Sequence, residues 1–227
     1  PEGRWGDSKL DEKMLIEEIT KRVLSALQTE GNTSQDIAAL PVGISVRHVH
    51  VSAADLEVLY GPGHKLTPLR DLYQEGEFAA REVVALVGPK MRALENVRIL
   101  GPVRGRTQVE VARTDAIYLG IDPPVRASGN LESSSPITLV GPKGTLLLPE
   151  EAIVANRHIH MNPGDAKRFG VSDNDLVKVE VLGEKGLIFN HVQIRVKDNF
   201  RLEMHLDTDD ANASGITTGA MARILTE

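Results

Sequence analysis

The 227-residue chain is 41% hydrophobic and 26% charged, the balance of an ordinary globular protein, and its net charge of −6 argues against a nucleic-acid partner. No apolar run approaches the roughly 18 residues of a membrane span, and no basic start followed by an apolar run reads as a signal peptide. With no cysteine, disulfides, thiolate metal sites and a cysteine nucleophile are excluded, so any metal must rest on His, Asp or Glu.

Residues 9–28 carry helical periodicity. Leu15, Ile19, Val23 and Leu27 recur every fourth residue, opposite Glu17, Glu18, Lys21 and Arg22. Residues 29–40, rich in Gly, Asn, Thr, Ser and Gln, read as a linker. An amphipathic helix set off in this way predicts either a fold back onto the body or docking to another protein, and its apolar stripe predicts self-association into a homo-oligomer. From residue 41 the pattern changes to short β-like runs between Gly-Pro, Pro-Gly and Asp-Pro turns, at 43–51, 83–87, 97–100, 107–112, 137–140, 176–182, 187–196 and 201–206. Short helices are predicted at 52–59, 69–73 and 163–169, the first and last capped by Ser52 with Asp55 and by Asn162 with Asp165. Aromatic residues are only 4%, so the core is aliphatic, which suits small β-barrels.

An internal repeat carries the most information. Arg47-His48-Val49-His50-Val51 returns as Arg157-His158-Ile159-His160-Met161, 110 residues later. At a second offset of 95, Asn96-Val97-Arg98-Ile99 matches His191-Val192-Gln193-Ile194, Asp115-Ala116 matches Asp210-Ala211, and Glu110 falls opposite His205. Two related β units are expected, each with a His-x-His strand and a later strand bearing one more donor.

Alternation along a strand puts His48 and His50 on one face, and His158 and His160 likewise. The polar face at 107–112 carries Gln108 and Glu110; at 201–207 it carries Glu203, His205 and Asp207. This predicts two metal sets, His48, His50 and Glu110 in one and His158, His160 and His205 in the other. Three protein ligands leave a fourth position open, the pattern of catalytic zinc, with iron, nickel or manganese as poorer matches. His64 in a Gly-Pro-Gly-His turn and His191 outside the repeated motif are expected at the surface. Arg104 and Arg106, in a turn before the Glu110 strand, suit an oxyanion beside a metal. No phosphate-binding loop, dinucleotide fingerprint or nucleophile elbow is present. The residues by themselves thus allow metal-dependent hydrolysis, oxyanion transfer or metal storage.

The same residues resemble the PduL-type phosphotransacylases, or phosphate propanoyltransferases, of bacterial microcompartments. The likeness rests on Pro-Val-Gly-Ile-Ser-Val-Arg-His-Val-His-Val-Ser at 41–52, Leu-Thr-Pro-Leu-Arg-Asp-Leu-Tyr-Gln-Glu-Gly-Glu-Phe at 66–78, and Val-Arg-Ile-Leu-Gly-Pro-Val-Arg at 97–104. It continues in Asn-Arg-His-Ile-His-Met at 156–161 and His-Leu-Asp-Thr-Asp-Asp-Ala-Asn-Ala at 205–213, and so spans roughly 41–224.

The resemblance implies a mainly β protein of two small barrels capped by short helices. One barrel would take residues 47–154, the other 36–46 with 155–227. It implies two zinc ions per chain on the two sets above, with Arg104 as the phosphate-binding, catalytic arginine. Gln74, Glu77, Gln108, Ser128 and Arg195 would belong to the polar pocket, and Ser45, Arg70, Arg98, Leu100 and Asn212 would contact CoA. The implied reaction interconverts a short acyl-CoA (propanoyl or acetyl) plus phosphate with acyl phosphate plus CoA; a zinc-dependent acyl or phosphoryl hydrolase is the alternative. Two departures from the family, Arg at position 70 for its usual Lys and Asp at 210 for its usual Glu, keep the charge. Residues 1–35 resemble an encapsulation peptide, which implies contact with a microcompartment shell or other cargo and a place in the compartment lumen within the cytoplasm.

Overall fold

Short aliphatic strands that alternate buried and exposed residues need partners on both edges, and closing a sheet on itself supplies them. The computed structural model describes residues 39–225. The helix expected at 9–28 and the linker up to residue 38 lie outside the described residues. The strands are β1 (Ala39–Ser45), β2 (His48–His50), β3 (Pro68–Asp71), β4 (Phe78–Val87), β5 (Ala93–Gly101), β6 (Gln108–Glu110), β7 (Val125–Arg126), β8 (Ser135–Val140), β9 (Thr145–Ala155), β10 (His158–Met161), β11 (Leu176–Val181), β12 (Leu187–Val196), β13 (Glu203–Asp207) and β14 (Met221–Leu225). Four short helices separate them: α1 (Ala53–Tyr60), α2 (Arg113–Leu119), α3 (Pro163–Phe169) and α4 (Thr208–Ser214).

Two closed barrels of six strands result. The first runs β4-β5-β2-β6-β9-β8 and back to β4, with β3 and β7 added on its outside. The second runs β1-β13-β10-β12-β11-β14 and back to β1. Each has its own aliphatic interior. Val49, Leu86, Ile99, Val109 and Leu139 fill the first, and Leu40, Ile159, Val179, Ile194 and Met204 the second. Burial of each such side chain contributes roughly 1.5–3 kcal/mol relative to exposure.

The repeat persists in the strand registers. His48 pairs with Arg98 in parallel and with Glu110 in antiparallel; His158 pairs with Gln193 and His205 in the same senses. Even a backbone irregularity is copied. Asn96 and His191, 95 residues apart, both adopt φ +56°. A left-handed residue inside a strand marks a bulge, which adds the local twist a small barrel needs.

Several expectations change. The run at 43–51 is two strands: the chain leaves β1 of the second barrel at exposed Val46 and enters β2 of the first. The segment at 69–73 is not a helix but β3, paired with β4. Leu69 and Tyr73 are exposed, so a helix there would have no apolar face to bury, while β4 offers a free edge to bond. The expected linker ends earlier, because Leu40 is fully buried in β1. The two capped helices form as expected. Ser52 accepts the Asp55 N–H and Asn162 the Asp165 N–H.

Candidate metal centre and active-site cavity

Both His-x-His strands and both third-ligand strands present their polar faces to one cavity of about 950 Å³, lined from both barrels. In the first set, His48, His50 and Glu110 are all buried, and their ligand atoms lie within 4.8 Å of one another. The second set, His158, His160 and His205, meets the same limit. His48 Nδ1 lies 2.9 Å from the Val46 carbonyl and His158 Nδ1 2.9 Å from the Asn156 carbonyl. A proton held there on Nδ1 leaves each Nε2 as the free lone pair. His48 Nε2 is 3.5 Å from Glu110 Oε2.

Four of the ring nitrogens have no hydrogen-bonded protein partner. His50 Nδ1, both nitrogens of His160, and His205 Nε2 are buried without a hydrogen bond. Burial pushes His50, His158 and His160 down, with neighbouring imidazoles adding to it; His158 reaches about 3. Burial opposes ionisation of Glu110, but the nearby charges of His48, His50 and His158 outweigh it and hold its pKa at about 2. At neutral pH Glu110 is thus ionised and His50, His158 and His160 are neutral, the states in which these groups ligate. Imidazole and carboxylate donors in threes, with four ring nitrogens buried and not hydrogen-bonded, fit a divalent ion such as zinc.

Arg104 stands at the cavity wall. Its backbone N–H donates to the Val51 carbonyl at 2.9 Å, which ties it to the end of β2. Its guanidinium makes two long contacts of 3.4 Å, Nη2 to Glu77 Oε1 and Nη1 to Ser128 Oγ. Arg195 also lines the cavity, and its guanidinium makes no hydrogen bond or ion pair among the described residues; burial lowers its pKa. A half-buried guanidinium without a partner is an open anion contact. Gln108, fully buried, donates to Glu110 and to Ser128 Oγ, and its Oε1 accepts the Gly129 N–H at 2.7 Å. Gln74 crosses from one barrel to the other and bonds the backbone of Arg201 on both sides of its amide, at 3.1 Å each. Arg106 instead pairs with Glu151 at 3.1 Å and does not line the cavity.

Ser45, Arg70, Arg98 and Leu100 line the cavity, with Glu77. Arg98 already donates to the Ala80 and Arg81 carbonyls from Nη1. Asn212 lies exposed on α4 and is not part of the cavity lining. His64 bonds Glu82 at 3.0 Å and stacks on Tyr60, and His191 is exposed; neither joins a donor set. Sequence reading missed Glu203 as a site residue, although its place on the polar face two residues before His205 was the available signal. It is buried and lines the cavity.

Paired barrels with a shared cavity, each contributing an imidazole-rich donor triad, define a double-barrel protein with two candidate metal sets. The chain matches the family model for phosphate propanoyltransferase over residues 41–217. It is 53% identical over 210 residues to a phosphate propanoyltransferase of Lachnoclostridium phytofermentans, covering 92% of this chain and 98% of that relative. It is 54% identical to one of Thermotoga maritima, covering 81% and 88%, and 48% identical to one of Salmonella typhimurium, covering 90% and 93%. The chain belongs to the phosphate propanoyltransferase family, a family of acyltransferases.

Proposed function

We propose that the chain exchanges the CoA of a short acyl-CoA, propanoyl- or acetyl-CoA, for inorganic phosphate, with one zinc ion on His48, His50 and Glu110 and a second on His158, His160 and His205. The observation that carries this reading is that both donor sets and two guanidiniums, Arg104 and Arg195, open onto a single cavity. Its volume is at the upper end for small-molecule sites. When bound, zinc would supply a Lewis acid for the oxyanion forming at the thioester carbonyl and an acceptor for the soft sulfur of the departing thiolate.

The residues of the chain do the rest. Arg104 and Arg195 draw phosphate into the cavity, and Glu77 and Ser128 keep the Arg104 fork aimed inward. Ser45, Arg70, Arg98 and Leu100 form the wall that receives CoA. A phosphate oxygen attacks the thioester carbonyl carbon, the carbon–sulfur bond breaks, and CoA leaves as thiolate while acyl phosphate forms. No covalent bond to the protein is needed, consistent with the lack of cysteine. Orientation of the two substrates supplies much of the acceleration.

Release of free thiol from propanoyl-CoA and acetyl-CoA, followed with and without phosphate, tests this reading. Thiol release that depends on phosphate is expected. Equal release without phosphate would make the protein a hydrolase instead.

The amphipathic pattern at 9–28 supports a second part of the proposal, that the N-terminal segment directs the enzyme to the shell or other cargo of a microcompartment. Residues 1–35 fused to a fluorescent protein should give puncta in cells that make shells; diffuse fluorescence would overturn it.

A further inference from the structure

The two donor sets share a register but not a charge. On β6 the repeat-equivalent pair is Gln108 followed by Glu110; on β13 it is Glu203 followed by His205. The first set therefore includes a carboxylate. The second is all imidazole, with its carboxylate one place back on the same strand face. Glu203 is only 8% exposed. Its Oε2 stands 3.1 Å from His205 Nε2, a close approach that stops short of a formed hydrogen bond. The only hydrogen bond it accepts among the described residues is a long one, 3.4 Å from Gln74 Nε2. A carboxylate taken out of water with so little compensation calls for a cation nearby.

Its position is also built in. A Cβ on Gly43 would lie 2.5 Å from Glu203 Oε1 and 2.7 Å from its carboxyl carbon, so any larger residue there would push the carboxylate out of this place. Gly43 is the residue that pairs with His205 across β1 and β13. On the other side, Gln74 is anchored through its amide to the Arg201 backbone. The carboxylate is thus held between a glycine slot and a fixed amide, against the His205 ring.

We propose that Glu203 is a positioning residue of the second donor set: it restrains the His205 imidazole and supplies the negative charge that set lacks, and so sets the affinity of the second site for a divalent metal. The inference rests on the reading that the two sets hold metal, and it makes the sites inequivalent. At the first, a carboxylate neutralises part of the ion's charge by direct ligation. At the second, the carboxylate stands beside His205 Nε2, outside the three imidazole donors, and contributes its charge from the edge of the set. Removing such a partner of a ligating histidine costs about 10- to 100-fold in metal affinity.

The test uses the full chain carrying His48→Ala, which breaks the first set and leaves the second intact. Zinc affinity is measured by competition with a chromophoric chelator, before and after adding Glu203→Gln or Gly43→Ala singly, with urea midpoints to show that each variant is folded. Glu203→Gln keeps the shape and removes the charge; Gly43→Ala keeps the charge and displaces it. Both should weaken zinc binding about 10- to 100-fold. Unchanged affinity in both variants, with one ion still bound, overturns the role of Glu203 and leaves the metal reading standing. A His48→Ala protein that binds no zinc at all overturns the metal reading, and the inference with it.

Discussion

Arg157 grips Asp210 through two bonds of 2.8 Å, Nε to Oδ2 and Nη2 to Oδ1. The equivalent Arg47 meets Asp115 Oδ1 through Nε and Nη2, at 2.8 and 2.7 Å. In each barrel the arginine stands immediately before the His-x-His strand, and the aspartate lies in the helix after the third-ligand strand. The pair therefore locks the two strands that carry one donor set. Arg157→Lys keeps the charge but not the fork, and should lower stability by about 1 kcal/mol. The urea midpoint of the variant measures this.

Arg104 is expected to act on phosphate and not on the fold. Its guanidinium has only two contacts of 3.4 Å, so its removal leaves little unsatisfied. Arg104→Ala should raise the apparent KM for phosphate roughly tenfold or more, the loss of a charge-assisted hydrogen bond of about 1.5–3 kcal/mol, and slow turnover. Steady-state kinetics with phosphate varied at fixed acyl-CoA checks it; an unchanged KM and kcat would remove Arg104 from the mechanism.

Metal removal separates the two sets. Chelation should abolish phosphate-dependent thiol release, and added zinc should restore it. His48→Ala and His158→Ala should each lower bound zinc from two ions per chain to one, read by elemental analysis, since the sets do not share a ligand. A fully active chelated protein would contradict the mechanism.

The metal-free protein should be acid-sensitive in two windows. Burial holds His50, His158 and His160 below the ordinary 6.5, so the unfolded chain takes up protons that the native state refuses. Stability is then full above about pH 6.5 and falls as the pH drops through it, by at most about 1.4 kcal/mol per pH unit for each imidazole. Glu110 acts lower. Its pKa of about 2 lies below the ordinary 4.5, so its contribution is present above 4.5 and lost toward 2. Urea midpoints of chelator-treated protein at pH 7.5, 6 and 5 should decline in order; a flat profile would contradict the neutral-imidazole assignment.

Much of the site was legible because it repeats. Period-two alternation fixes which face His48 and His50 share, and the offsets of 110 and 95 bring Glu110 and His205 to equivalent places before any coordinates are known. The caps at Ser52 and Asn162 were readable for a similar reason, since a cap is a contact over three residues. Segments whose form depends on distant partners were not. β9 carries Pro149 and a continuous apolar stretch, and β14 is five residues near the end of the chain; both are strands because neighbouring strands take their hydrogen bonds.

Local chemistry and periodicity thus determined which side chains hold the donor atoms, and on which strand face. They also determined that the chain is two copies of one β unit. Tertiary structure decided the register in which β1 closes the second barrel, with Gly43 opposite His205, that Gln74 reaches across to Arg201, and that a glycine at 43 opens room for Glu203 beside His205. Those contacts join residues up to 162 positions apart. No local propensity encodes them; they exist because closing each barrel satisfies its edge strands and brings distant residues together.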